Sequence, residues 1–275
     1  MRLVTGELIQ ECADVYIGMP CDFAYNPYIM QQKDKHLPLD ILYSMSSYAN
    51  PPFIFCYSSL IKQLSAVIHI FENQFTLITH NGDANVEDVY YVNMILNAPN
   101  LKLWYAQNVN FSHDKLVPLP IGIANRMWPH GNVSIVESPK TADVYMSFDL
   151  NTNPKKRTEC LDALRDKVSF LPFVSPNENI ARLAQYKYCI CPEGNGLDTH
   201  RLWEALYLRV VPIMLKSKHV ELLINQYRFP AILLDRWSDL EIPLPSYDIF
   251  IFSDIDMDEL RRQIYGLRKS GLNCV

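Results

Sequence analysis

The stretch YKYCICPEGNGLDTHRLWEALYLRVVPIM, residues 186–214, reads as a strand, a tight loop, a helix and a second strand. Lys187–Cys191 is a short apolar run with the length of a buried strand, and Val210–Leu215 is another. Between them, Asp198 or Thr199 is placed to cap a helix over Thr199–Leu208 whose Leu202, Ala205 and Leu206 face a core. Strand, helix, strand is the repeating unit of a parallel sheet. The loop Pro-Glu-Gly-Asn-Gly then stands at a strand's carboxyl end, where such sheets bind ligands. Its backbone N–H groups and the positive helix end suit phosphate. Glu204, one turn into the helix, is placed to accept two ribose hydroxyls, while His200 and Arg201 neutralise phosphate charge. An ordinary capped helix is the alternative that spacing leaves open.

The same rhythm extends in both directions. Toward the N-terminus, strands are expected at Phe53–Cys56, Phe75–Thr79, Leu101–Tyr105 and Lys115–Pro120, with helices over Leu60–Phe71 and Val86–Leu96. Around the central stretch lie strands at Val144–Phe148 and Ala231–Leu234 and helices over Lys155–Asp166 and Glu178–Gln185. A final helix, Ile255–Lys269, takes Ser253 or Asp254 as its cap. The polar segment WPHGNVSIVESPKT, 128–141, interrupts the alternation and reads as a linker. The fold expected is therefore α/β: two Rossmann-like parallel-sheet domains facing a cleft. They span 1–130 on the acceptor side and 131–275 on the nucleotide side, with the last helix able to pack back on the first.

Composition narrows the function. The chain has 275 residues, 49% of them hydrophobic, which is ample for buried cores. A net charge of −5 argues against a general nucleic-acid or membrane-surface binder. No apolar run reaches the ~18–20 residues that span a bilayer. Glu7 and Glu11 interrupt what a signal peptide would keep apolar, so a cytoplasmic protein is expected. The seven cysteines (12, 21, 56, 160, 189, 191 and 274) show no zinc spacing and read as reduced thiols.

Cys-Pro-Glu-Gly-Asn-Gly, then Thr-His-Arg-Leu-Trp-Glu-Ala-Leu, then Val-Pro-Ile resembles the signature of exostosin-like glycosyltransferases. It is more distantly similar to that of α1,3-fucosyltransferases, which carry Glu-Lys where this chain has His200-Arg201. A second stretch, AQNVNFSHDKLVPLPIGIANRMWPHGN (106–132), resembles short exostosin-like proteins of large DNA viruses. The resemblance implies a two-domain GT-B-type enzyme, viral in origin. Its reaction would move a sugar, xylose by the same likeness, from a UDP-sugar to a hydroxyl of an oligosaccharide or glycoprotein. No nucleic-acid partner and no membrane span are expected. Arg209 departs from the pattern, which has glycine before the Val-Pro strand.

The resemblance also implies a basic residue after the first strand of the donor half to hold a diphosphate. In SFDLNTNPKKRTECL (147–161), Asn151, Thr152 or Asn153 can cap a helix that starts at Pro154. Cations in its first turn oppose the helix dipole unless an anion binds there. Arg157 is the expected ligand, because a guanidinium fork matches phosphate oxygens. With Glu193, Gly194, Asn195, Thr199, His200, Arg201 and Glu204 it makes up the expected donor site. In LITHNGDANVEDV (77–89) a buried strand ends at polar residues and a helix follows from near Asn85. Asp83 is the expected catalytic base, with His80 second; closing an Asx turn is the plainer role for Asp83. Asp254-Ile-Asp256 matches a metal-binding Asp-x-Asp, but acids opening a helix fit its dipole equally well, and no metal or other cofactor is expected. A non-catalytic nucleotide-sugar or glycan-binding protein is the competing reading.

Overall fold

The computed structural model describes residues 2–18, 53–136 and 138–270, so Cys21 and Cys274 lie outside the described residues. The chain divides into two compact units. The first holds the chain up to Ile121 together with the segment from Ile255, and the second is Gly122–Asp254. The division falls at 121/122, ahead of the expected 130/131, and the last helix belongs with the first unit.

In the first unit β1 (Val15–Ile17), β2 (Phe53–Tyr57), β3 (Phe75–His80), β4 (Leu101–Ala106) and β5 (Leu116–Pro118) lie side by side in chain order. Every pair is parallel. All residues of β2 and β3 are buried, so both sheet faces are covered. That is why these strands read as unbroken apolar runs rather than alternating ones. The unit also contains α1 (Gly6–Gln10), α2 (Ile61–Val67) and α3 (Tyr90–Leu96). The helix expected over Leu60–Phe71 is shorter, with 3₁₀ turns at both ends. The helix expected from Val86 begins only at Tyr90. Val86 instead pairs with Val109 in a parallel bridge, its N–H donating to Asn108 O and its carbonyl accepting from Asn110 N, both at 2.9 Å. A fully buried valine gains more from that pairing than from an exposed first helical turn.

In the second unit β6 (Ala142–Tyr145), β7 (Tyr186–Ile190), β8 (Val211–Leu215) and β9 (Ile232–Leu234) form a second parallel sheet, again in chain order. Tyr188, Ile190, Val211 and Ile213 share one face and pack against Cys160 and Leu164 of α4 (Pro154–Leu164), with Trp237 and Leu240. On the alternate positions Cys189 and Met214 are buried too, and α5 (Pro176–Leu183) and α6 (His200–Tyr207) pack on β7 and β8. Trp203 of α6 is completely buried, a side chain whose removal from water contributes roughly 1.5–3 kcal/mol. A further helix, α7 (Lys218–Tyr227), is capped by Ser217, whose hydroxyl accepts from Val220 N at 3.3 Å.

Two parallel sheets with helices make each unit Rossmann-like in kind. Among the described residues neither strand order reverses, so the carboxyl ends of neighbouring strands, not a reversal point, mark where ligands are sought. Cys160, Cys189 and Cys191 are core side chains, and burial raises the Cys160 and Cys191 thiols. Among the described residues no helix is long and apolar enough to cross a membrane.

The closing helix, α8 (Met257–Ser270), starts later than expected and its cap is Asp256. Asp256 Oδ1 accepts from Asp258 N and Oδ2 from Arg2 N, both at 2.7 Å. Ser253 instead donates to Arg228 O at 2.7 Å, and Asp254 takes the Arg209 guanidinium. Both carboxylates of the Asp-x-Asp are therefore engaged by protein groups. Among the described residues no three His, Cys, Asp or Glu side chains stand close enough to hold a metal ion.

Candidate functional site

The carboxyl ends of β6 and β7 are tied together by α4. Asn153 caps α4 through its Oδ1, which accepts from Lys156 N at 3.3 Å, and its Nδ2 donates to Gly194 O at 2.7 Å. Arg157, one turn in, donates from Nε to Glu193 O at 3.1 Å and from Nη1 to Asp149 O at 2.6 Å. Lys156 pairs with the Glu193 carboxylate. A Cβ at Gly194 would stand 3.3 Å from Arg157 Nη2 and in ordinary contact, 3.6 Å, with the methyl groups of Thr152 and Thr199, so the loop packs closely on α4 there. The loop 193–199 is thus built against the first turn of α4.

Two of the expected roles change on this geometry. Arg157 does not stand free in open solvent; it is half-buried, lies 5.8 Å over the Phe148 ring and braces two loop carbonyls. Burial, followed by the neighbouring Arg201 charge, pushes its pKa down. Glu204 is the second correction. Its carboxylate, with the side chain only 8% exposed, accepts from Arg201 Nε at 2.9 Å. Pairing within α6 thus answers the desolvation cost that pointed to ribose. Arg201 donates further to Ser147 O at 2.5 Å and Asn179 Oδ1 at 3.2 Å, and its guanidinium lies 5.5 Å over the Tyr145 ring. Burial works against its charge, but Glu204 outweighs that and the pKa is raised.

At the start of α6 Thr199 holds the cap position with extended backbone, yet its hydroxyl makes no capping bond. Asp198, buried, accepts from Thr199 N at 2.8 Å and from Trp203 Nε1 at 2.9 Å through both oxygens. His200 turns its Nδ1–H to Gly122 O at 2.8 Å, and its ring lies 5.8 Å from that of His130. Asn195 is exposed at the loop's tip. Glu193 and Lys156 satisfy each other at the rim. Arg209 keeps the turn its side chain seemed to endanger. It adopts φ 56°, and Val210 N donates to Ala205 O and Arg209 N to Leu206 O, the paired bonds that glycine usually closes at a helix end.

In the first unit the polar residues line up at the carboxyl ends of β2, β3 and β4. His80, expected as a second base, is buried; its Nε2–H donates to Pro120 O at 3.0 Å and its Nδ1 faces Asn81 Oδ1 at 3.2 Å. It is a structural residue. Asp83 is exposed on a loop that runs on to Tyr90, where the helix it was expected to precede begins. Asn81 and Asn108, ending adjacent strands, both take left-handed backbone, φ 58° and 55°. Gly82 passes so close to Ser58 that a Cβ would lie 2.4 Å from its hydroxyl. Ser58 Oγ and Gln107 Oε1 are buried with no hydrogen-bond partner among the described residues.

Sequence reasoning passed over Asp149, Asn179 and Lys140. Asn179 also accepts from Tyr145 OH at 2.7 Å, and Lys140 donates at 2.7 Å to both Ala184 O and Leu208 O, which end α5 and α6. Only the third dimension joins those positions, so no spacing signal marks them. Set against known protein families the sequence matches no family model, and a comparison with curated proteins returns no match.

Proposed function

We propose that the chain is a glycosyltransferase of GT-B type that moves a sugar from a UDP-sugar to a glycan hydroxyl. The observation that carries this reading is the convergence of Arg157 and Arg201 at the carboxyl ends of β6 and β7, with Glu204 bonded to Arg201 alone. Burial and the neighbouring Arg201 charge both push the half-buried Arg157 guanidinium down, a cost that a bound anion relieves. In the proposed reaction the acceptor oxygen attacks the anomeric carbon as the bond to the β-phosphate oxygen breaks. Arg157 and the N–H groups of loop 193–199 stabilise the leaving diphosphate as its charge grows. The acceptor proton passes to a carboxylate, for which Asp83 is the candidate, and attack opposite the leaving group inverts the centre. The test is incubation with a panel of UDP-sugars, with and without oligosaccharide acceptors, reading UDP release. Release with at least one donor supports the reading; none from any donor contradicts it.

The binding-protein reading keeps one observation in its favour. His80 is buried and tied to Pro120 O and Asn81, so of the two expected bases only Asp83 stands exposed. Saturable UDP-sugar binding without hydrolysis or transfer would select it.

A further inference from the structure

Two prolines decide the course of residues 242–248, Ile-Pro-Leu-Pro-Ser-Tyr-Asp. Pro243 and Pro245 have no N–H to give a ladder, so the segment packs on the second unit's sheet without joining its four strands. Leu244 and Tyr247, half-buried, lie against the core that holds Tyr188. The Tyr188 hydroxyl donates to Pro245 O and the Tyr247 hydroxyl to Arg209 O, which pins this strap at two points. Between the strap and the first residues of β6 and β7 a cavity of about 560 Å³ is left open. Lys140, Asp143 and Lys187 line it, and Ser246 and Asp248 stand exposed on it. Loop 193–199 follows the other end of β7, so none of these residues belongs to the donor site.

We infer that this cavity binds a segment of a neutral oligosaccharide. Its volume lies within the roughly 300–1,000 Å³ of pockets that take small organic ligands, and far exceeds what an ion fills. Charge narrows the ligand next. Two lysines and two aspartates line the cavity and cancel. Lys187 is paired with Asp143 at 2.9 Å, and Lys140 is committed to the carbonyls of Ala184 and Leu208. An anion would find both cations engaged and a carboxylate close by; a cation would sit beside two lysines. The exposed polar groups are the Ser246 hydroxyl, which donates and accepts, and the Asp248 carboxylate, which only accepts. A wholly apolar ligand would strip these of water and replace nothing. A sugar ring brings hydroxyl donors along its edge and C–H groups on its faces, and the second suit Ile242, Pro243 and Leu244. A proline-rich peptide would need an exposed aromatic ridge, whereas Tyr188 is buried and Tyr247 half-buried. No nucleotide enters this site, so it stands or falls apart from the donor reading.

The test is methyl and amide NMR on the full chain, without nucleotide, titrated with neutral hexasaccharides of glucose, xylose, mannose and N-acetylglucosamine. A galacturonate hexasaccharide serves as the charged control. At least one neutral hexasaccharide is expected to bind saturably and to shift the methyls of Val144, Ile242 and Leu244, while the amides of Gly194 and Asn195 keep their positions. Galacturonate is expected to bind more weakly or not at all. Asp248→Ala, at an exposed position, should weaken the neutral sugar about tenfold, the worth of one hydrogen bond to a charged group; Asp248→Asn should weaken it less. Silence of the three methyls with every neutral sugar overturns the site, as does tighter binding of galacturonate or an unchanged affinity in Asp248→Ala. Shifts at Gly194 and Asn195 in place of the methyls would put the sugar on the donor loop and also overturn it. A separate titration with UDP bears on the donor reading alone.

Discussion

Replacing Glu204 by glutamine tests how the site is held together. In the native chain Arg201 is surrounded by Ser147 O, Asn179, the Tyr145 ring and the Glu204 carboxylate, and only the last is anionic. The two side chains are 20% and 8% exposed, so the pair is mostly desolvated. Removing one partner of a buried pair costs about 3–5 kcal/mol, because the other charge is left uncompensated. Glutamine still offers an acceptor oxygen to Arg201 Nε, which returns part of that, leaving about 2–3 kcal/mol. For a unit of this size such a loss lowers the Tm by roughly 6–15 °C. Differential scanning calorimetry of Glu204→Gln reads the effect directly, and a cycle with Arg201→Met should give a coupling of about 1–3 kcal/mol. A Tm within a degree of wild type (~1 °C on the same scale), together with a raised donor KM, would refute the pairing and restore the ribose role.

Arg157→Ala should also cost about 1–2 kcal/mol in denaturant unfolding, since the Glu193 and Asp149 carbonyls lose a charged donor; an unchanged midpoint would place the side chain in solvent after all. Gly131→Ala should destabilise by ~2 kcal/mol or more, because its Cβ would stand 1.9 Å from Asn125 O, a backbone atom that cannot swing aside; thermal melts decide it. Lys140 gives a pH signature: burial lowers its pKa from 10.5 to about 8, so between those values the unfolded chain holds a proton the folded one has released. Stability should therefore rise with pH from about 8 to 10.5 relative to Lys140→Met; parallel curves for the two proteins would contradict the burial.

The sheet strands were legible because burial on both faces leaves an apolar run that needs no knowledge of its neighbours, as at Phe53–Tyr57 and Phe75–His80. Cap residues were legible where one side chain decides the matter: Asn153 and Pro154 set the start of α4. Periodicity misled at Val86, whose helical spacing lost to a bridge with a residue 23 positions away, Val109. The short α1 and β1 and the helix α7 escaped notice because their apolar residues are few or interrupted by charge. The residues expected at the donor site lie around loop 193–199, but Arg157 and Glu204 make contacts that were not expected of them. Glu204 and Arg201 are three apart on one helix, and their pairing was the alternative already visible in the sequence. The bracing of Arg157 by Asp149 O was not visible, because backbone carbonyls carry no sequence signal.

Calorimetric titration of UDP into the wild-type chain and into Arg157→Ala tests the central claim, that loop 193–199 and Arg157 form a diphosphate site. Saturable binding to the wild type is expected, with an affinity about 10²-fold weaker in the variant, which corresponds to ~3 kcal/mol. No binding to the wild type, or equal binding to both proteins, would contradict it.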